Sequence, residues 1–286
     1  MSREAAIAQA FTAACLDELA APKPGNVHVF ADGHRMTAAD FVRSAQAAAG
    51  PLARAGARVG QRIHEAVEAT FAAVGSNTNL GIILLCAPLA AAAETGAQDL
   101  RAALAKILAD LDVADAELAF RAIVRAAPAG LGRAERHDVH APASVTLRDA
   151  MAEARERDRI AKQYVTDFED IFDLGLPCLE NALRRWPKPE WATLATYLAF
   201  LAQHPDSHIL RKYGAATAEE VRDSAAASVA RLQAAADPAA LVPDLLAWDA
   251  ALKARAINPG TSADLTVGTL FAHRLRNDLP FARKSG

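Results

Sequence analysis

The stretch GSNTNLGIILLCAPLA, residues 75–90, decides how this chain is read. A polar, turn-forming run from Gly75 to Asn79 leads straight into Ile82–Leu85, among the most apolar residues of the chain. Asn and Thr are weak helix formers and good caps, because their side-chain oxygens accept from the free N–H groups of a helix start. The stretch therefore predicts a capped, buried helix over 80–95. One polar residue suffices for capping, whereas Asn77, Thr78 and Asn79 supply three. The surplus asks for a second use.

Outward from that helix, nearly every long segment is rich in Ala, Leu, Arg and Glu, with apolar residues at three- and four-residue spacing. Helices are expected over 3–20, 38–55, 59–74, 80–95, 98–109, 113–126, 147–174, 177–186, 190–203, 207–212, 218–235, 242–256 and 262–275. Their starts are marked by Thr37…Asp40, Thr146…Asp149, Thr217…Glu220 and Thr261…Asp264, the spacing of a capping box. No linker or fixed-period repeat divides the chain. The expectation is one all-α domain over 1–286, a compact multi-helix body with a loop-lined central pocket.

Composition narrows the function classes. Of 286 residues, 52% are apolar and 23% charged, and 31 basic against 34 acidic residues leave a formal charge of −3. That excludes a surface built overall for nucleic acid. The apolar run Ile82–Ala93 contains Pro88 and is too short to span a bilayer, and the N-terminus lacks a signal-peptide pattern. Cys15, Cys86 and Cys178 are scattered among apolar neighbours, which fits thiols in a reducing compartment. A cytoplasmic protein with no membrane association is expected.

Four polar clusters stand out. PKPGNVHVFADGH (22–34) packs Lys23, Asn26 and His28 around a Pro-Gly turn. In the second, Asn77, Thr78 and Asn79 precede a helix whose free N–H groups suit an anion, and Gly81 permits close approach. HPDSHILRKYG (204–214) places His208, Arg211 and Lys212 at i, i+3 and i+4, one helical face suited to phosphate, with Asp206 able to hold Mg²⁺ (or Mn²⁺). INPGTSADL (257–265) brings Asn258, Thr261, Ser262 and Asp264, readable as a turn and cap or as a phosphate contact. His137-Asp138 offers a competing reading, since a His-Asp dipeptide marks a class of metal-dependent helical phosphohydrolases. His64, Asp206 or Asp264 would then have to complete the ligand set.

Taken in order, KPGNVH (23–28), NTNLG (77–81), DSH…RK (206–212) and NPGTSADL (258–265) resemble the triphosphoribosyl-dephospho-CoA synthase family. The resemblance spans most of the chain. It implies an all-helical enzyme that uses ATP as substrate: an acceptor hydroxyl attacks C1 of the ribose, adenine leaves, and a triphosphoribosyl group is transferred with an α linkage. It further implies Mg²⁺ (or Mn²⁺) held by Asp206 and Asp264, and Asp206, Asp264 and His28 as catalytic candidates. Nucleotide contacts are then expected from Lys23, Asn26, Asn77, Thr78, Asn79, Gly81, His208, Arg211, Lys212, Asn258, Thr261 and Ser262.

The chain departs from the citrate- and malonate-pathway members, which carry NTHKG and DTN…RGG where it has Asn77-Thr78-Asn79-Leu80-Gly81, Asp206-Ser207-His208 and Arg211-Lys212. It is more similar to a branch found in methylotrophs and methanogens, marked by KPGNVH, NTNLG and VTLRDAM. The resemblance thus implies a role in one-carbon metabolism, with a tetrahydromethanopterin precursor as acceptor instead of dephospho-CoA. The expected partners are a nucleotide and a small acceptor, with a homodimer left open. A non-catalytic nucleotide-binding member is the remaining alternative.

Overall fold

In the computed structural model the described residues are 1–31, 36–128 and 132–279. They form α1 (Arg3–Ala20), α2 (Ala38–Ala53), α3 (Val59–Val74), α4 (Leu80–Glu94) and α5 (Leu100–Ala109). Next come α6 (Val113–Ala126), α7 (Leu147–Ala154), α8 (Arg159–Val165), a π-helical turn (Asp170–Gly175), α9 (Leu176–Arg185) and α10 (Pro189–Gln203). The chain continues through α11 (Ser207–Tyr213), α12 (Ala215–Ala234), a 3₁₀ turn (Pro238–Leu241), α13 (Val242–Ala254) and α14 (Gly260–Asn277). Backbone pairing of the β type is limited among the described residues to isolated bridges such as His28–Ala31. The molecule is all-α. None of its described helices is long and apolar enough to cross a membrane.

Helix α4 is buried on nearly every side because it is apolar on every side: Leu80, and then each residue from Ile82 to Ala93, is shielded from water. It packs against α14, which is likewise buried along most of its length through Thr261–Ala263, Leu265–Ala272 and Leu275. Helices α1, α8 and α11 each pack on α14, and α1 and α8 also reach α4. These five elements frame the polar clusters. Cys15 and Cys86 lie in the core, while Cys178 is partly exposed.

Several boundaries differ from the sequence reading. The segment expected as one helix over 147–174 breaks at 155–158, because Asp158 accepts from the N–H groups of Ile160 and Ala161 and starts α8 afresh. It breaks again where Asp167 and Phe168 take positive φ values of 49° and 59°. Thr217 lies inside α12, donating to the Tyr213 carbonyl, and the N-cap is Gly214. Thr261 lies inside the first turn of α14, whose N-cap, Pro259, has no side-chain bond. The other two starts hold: Thr37 with Asp40 forms a complete capping box, and Thr146 accepts from the Asp149 N–H.

Candidate functional site

The four clusters converge on one cavity of about 660 Å³. Asn26, Asn77, Thr78, Asn79, Gly81, His208, Arg211, Asn258, Thr261 and Asp264 all stand on its wall. The convergence is built from contacts between the clusters. Asn26 Nδ2 donates to Asn258 Oδ1 at 2.8 Å, and the Ser262 N–H and hydroxyl both donate to Asp206 Oδ2 at 2.8 Å. The glycines mark the same junctions. Gly25, at φ 82°, lies where a Cβ would come 2.8 Å from Pro259, and a Cβ at Gly260 would come 2.6 Å from His208 Nδ1. At Gly81 a Cβ would overlap the Asp264 carboxylate, so only glycine lets that acid seat against the first turn of α4.

The polar run before α4 divides its labour. Asn77 Oδ1 accepts from the Leu80 N–H at 3.1 Å, and Thr78 donates to Ser44 Oγ at 2.6 Å. Asn79 is 5% exposed, caps nothing with its side chain, and its Nδ2 has no hydrogen-bond partner in the structure. A buried amide donor without a partner is costly in an empty protein. Placed on a cavity wall beside a helix N-terminus, it is a donor waiting for a ligand acceptor.

Five residues expected at the site lie off the wall. Asp206 is 3% exposed and fully engaged: Oδ1 accepts from the His208 and Ile209 N–H groups at 2.9 and 3.2 Å, and Oδ2 serves Ser262. It caps α11 and, from outside, the start of α14. Burial pushes its carboxyl above the usual range, although these hydrogen bonds pull the other way. Ser262 is spent on that junction. Lys23 is fully buried, with its ammonium 2.9 Å from Glu18 Oε1 and donating to Asn26 Oδ1 and the Val27 carbonyl. His28 is buried 3.4 Å from Asp249 Oδ2, and burial lowers its pKa. Asp249 also takes the Gly25 N–H and pairs with Lys253 at 2.9 Å. Lys212 is exposed over the Tyr213 ring and off the wall, since consecutive residues such as Arg211 and Lys212 point about 100° apart around a helix.

The wall also carries groups that the sequence reading passed over. Glu18, from the last turn of α1, reaches the cavity although it is 3% exposed. Asp158 lies on the wall too, paired with Arg211 at 3.0 Å. Arg133, Arg136 and Arg157 add positive charge at the wall. Burial first, then Asp206, Glu18 and Asp158, pushes Asp264 well above the usual carboxylate range, with Arg211 opposing. One signal could have found Glu18: it continues the apolar stripe of Ile7, Phe11 and Ala14, a charge in core phase. Asp158 was hidden inside a run of good helix formers.

The His137-Asp138 pair does line the cavity, but Asp138 is consumed locally. It accepts from the Ala134 and His140 N–H groups at 2.7 and 2.8 Å and lies 2.7 Å from His140 Nδ1, which together lower its pKa to about 2. Among the described residues no three His, Cys, Asp or Glu side chains gather as a phosphohydrolase metal centre requires.

The family profile for ATP:dephospho-CoA triphosphoribosyl transferase matches residues 4–282. Among solved structures, the chain is similar to a protein from Archaeoglobus fulgidus provisionally named a triphosphoribosyl-dephospho-CoA synthase. The TM-score is 0.66 at 22% identity, over 82% of this chain and 98% of that one, which is a likeness of fold. No curated protein matches the sequence. With the family profile covering nearly the whole length and its polar segments meeting at one cavity, the chain belongs to the ATP:dephospho-CoA triphosphoribosyl transferase family and is a transferase.

Proposed function

We propose that this transferase moves a phosphorylated ribose from ATP to the hydroxyl of a tetrahydromethanopterin precursor, releasing adenine. The observation that carries the choice of acceptor is Asn79 and Leu80 on the cavity wall. The citrate-pathway members resemble this chain here but carry His and Lys, two groups able to meet phosphates of a CoA-like acceptor. Loss of a cation beside a phosphate forfeits roughly 1.5–3 kcal/mol, tenfold or more in preference. The wall is also apolar along Phe41, Phe120, Ile123, Leu147 and Met151, from α2, α6 and α7, which suits an acceptor with an aromatic body.

Arg211, His208, the start of α4 and the Asn79 amide face the same space as Asp264, a set suited to the triphosphate. Mg²⁺ fits this donor set, because it takes one or two protein carboxylates and fills its shell with substrate phosphates and water. Asp264 and, beside Arg211, Asp158 would hold it, and a cation there would offset the burial, and after it the repulsion from neighbouring acids, that raise the Asp264 pKa. The metal would supply neutralisation of the triphosphate. Asp206 acts at one remove, by fixing α11 against α14. The test is to incubate the protein with ATP and Mg²⁺ plus either dephospho-CoA or a pterin-linked ribitol and to quantify free adenine. Adenine release at least tenfold more efficient with the ribitol is expected. Efficient turnover of dephospho-CoA would overturn the acceptor assignment.

A further inference from the structure

Glu18 has no role in the contacts so far assigned to the triphosphate. Among the acids on the cavity wall, most are already committed. Asp138 serves its own loop, Glu153 pairs with Arg136 at 2.6 Å, and Asp158 caps α8 and pairs with Arg211. Asp264 sits against the first turn of α4, on the side of the cavity that Arg211 charges. Glu18 comes from a different direction, at the end of α1, and pairs with Lys23 at 2.9 Å.

The setting of that pair argues for more than packing. A buried ion pair is weak as a stabiliser, because desolvation offsets most of the attraction. Here Lys23 is 0% exposed and all three of its ammonium donors have acceptors: Glu18 Oε1, Asn26 Oδ1 and the Val27 carbonyl. Lys23 sits behind the wall and Glu18 forms part of it. The lysine thus holds the carboxyl group in one orientation at the edge of a mostly apolar space, where burial raises its pKa against the pull of Lys23, the arrangement expected of a preorganised proton acceptor. Asn26, clamped by the same ammonium and bonded to Asn258, lies beside it on the wall.

We propose that Glu18 is a catalytic residue that takes the proton of the acceptor hydroxyl, and that Lys23 is its positioning residue; this rests on the transfer reaction proposed above. The acceptor oxygen forms a bond to C1 of the ribose, and the C1–N bond breaks with its electron pair going to adenine. Glu18 receives the hydroxyl proton and returns it to water. Adenine takes one proton from water, so the transfer is neutral in protons overall.

The test compares Glu18→Gln and Glu18→Ala with the parent, following adenine release and the rise in melting temperature caused by ATP with Mg²⁺. Turnover should fall by about 10²–10⁴-fold in both variants. The ATP-dependent rise should persist, and sodium formate should restore part of the turnover of Glu18→Ala while sodium chloride at equal ionic strength does not. Glu18→Gln keeps the size of the side chain and decides the matter if Glu18→Ala does not fold. Turnover of Glu18→Gln within tenfold of the parent overturns the proposal, as does a folded, ATP-binding Glu18→Ala that formate leaves inactive. If the parent itself releases no adenine with any acceptor, the transfer reading fails and takes this role with it. Loss in the variants alone bears only on Glu18.

Discussion

Helices α14 and α4 are both buried and pack against each other, and both begin at a polar loop, Asn258-Pro-Gly-Thr-Ser in one case and Asn77-Thr-Asn in the other. Their ends are used in opposite ways. At α14 a carboxylate from another helix, Asp206, takes the Ser262 N–H and hydroxyl, so that end is closed by the fold itself. At α4 Asn77 caps one N–H, and Asn79 keeps a buried amide nitrogen without a partner on the cavity wall. The same residue types thus serve folding at one helix start and remain available to a ligand at the other. Burial alone does not separate the two, since Asp206 and Asn79 are 3% and 5% exposed. Hydrogen-bond satisfaction does.

The sharpest way to break this contrast is at Asp206. Asp206→Ala removes the caps of two helices and strands buried donors, so a loss on the order of 3–4 kcal/mol is expected in urea unfolding. The ATP-dependent rise in melting temperature should survive in the protein that folds. Asp206→Asn is the complementary probe. If it unfolds at the parent's urea midpoint but turns over nothing, Asp206 reacts directly and the closed end of α14 is part of the chemistry. Next in size is Gly81→Ala, where the new methyl group overlaps the Asp264 carboxylate. Overpacking of this kind costs about 1–3 kcal/mol, and turnover should fall with it because Asp264 must move. Unchanged turnover would detach Asp264 from the reaction.

Arg211 and Lys212 give a paired test of the wall itself. Arg211→Ala should weaken ATP binding tenfold or more, the worth of one charge-assisted hydrogen bond, read by calorimetry. Lys212→Ala, over the Tyr213 ring and away from the cavity, should leave affinity within about twofold of the parent. Equal losses would mean that both cations act through the general field of α11.

How much of this was legible in the sequence follows from the same contrast. The helical period and the order of the four clusters were enough for an all-α molecule with converging loops, because apolar phase and turn chemistry are local properties. The role of a polar residue within a cluster is not local. Lys23, His28 and Asp206 have the chemistry of site residues, yet all three stand off the wall. Lys23 is spent on Glu18 at the end of α1, Asp206 on Ser262 far along the chain, and His28 is buried beside Asp249. Glu18 and Asp158 erred the other way. One sat in an ordinary amphipathic helix, and the other inside Glu153–Arg159, whose Arg and Glu residues read as unbroken helix until Asp158 is seen to cap a new start.

The smallest expected effect is the most discriminating, and it concerns Asn79. Its amide nitrogen is buried and unpartnered, so the free protein carries the cost of desolvating that donor without the return of a bond. Asn79→Ala removes the cost along with the donor. The start of α4 should survive, because the cap of the Leu80 N–H comes from Asn77. The unliganded variant should therefore unfold at the parent's denaturant concentration or slightly above it. Binding of ATP with Mg²⁺ should weaken by roughly 0.5–1.5 kcal/mol, about two- to tenfold, the net worth of one hydrogen bond. Stability and affinity then move in opposite directions, which neither a capping residue nor a bystander would produce. A cap would lose stability on truncation, and a bystander would change neither. If Asn79→Ala destabilises the free protein and leaves ATP affinity intact, the start of α4 is closed by the fold as that of α14 is, and the Asn-Thr-Asn run is only a cap.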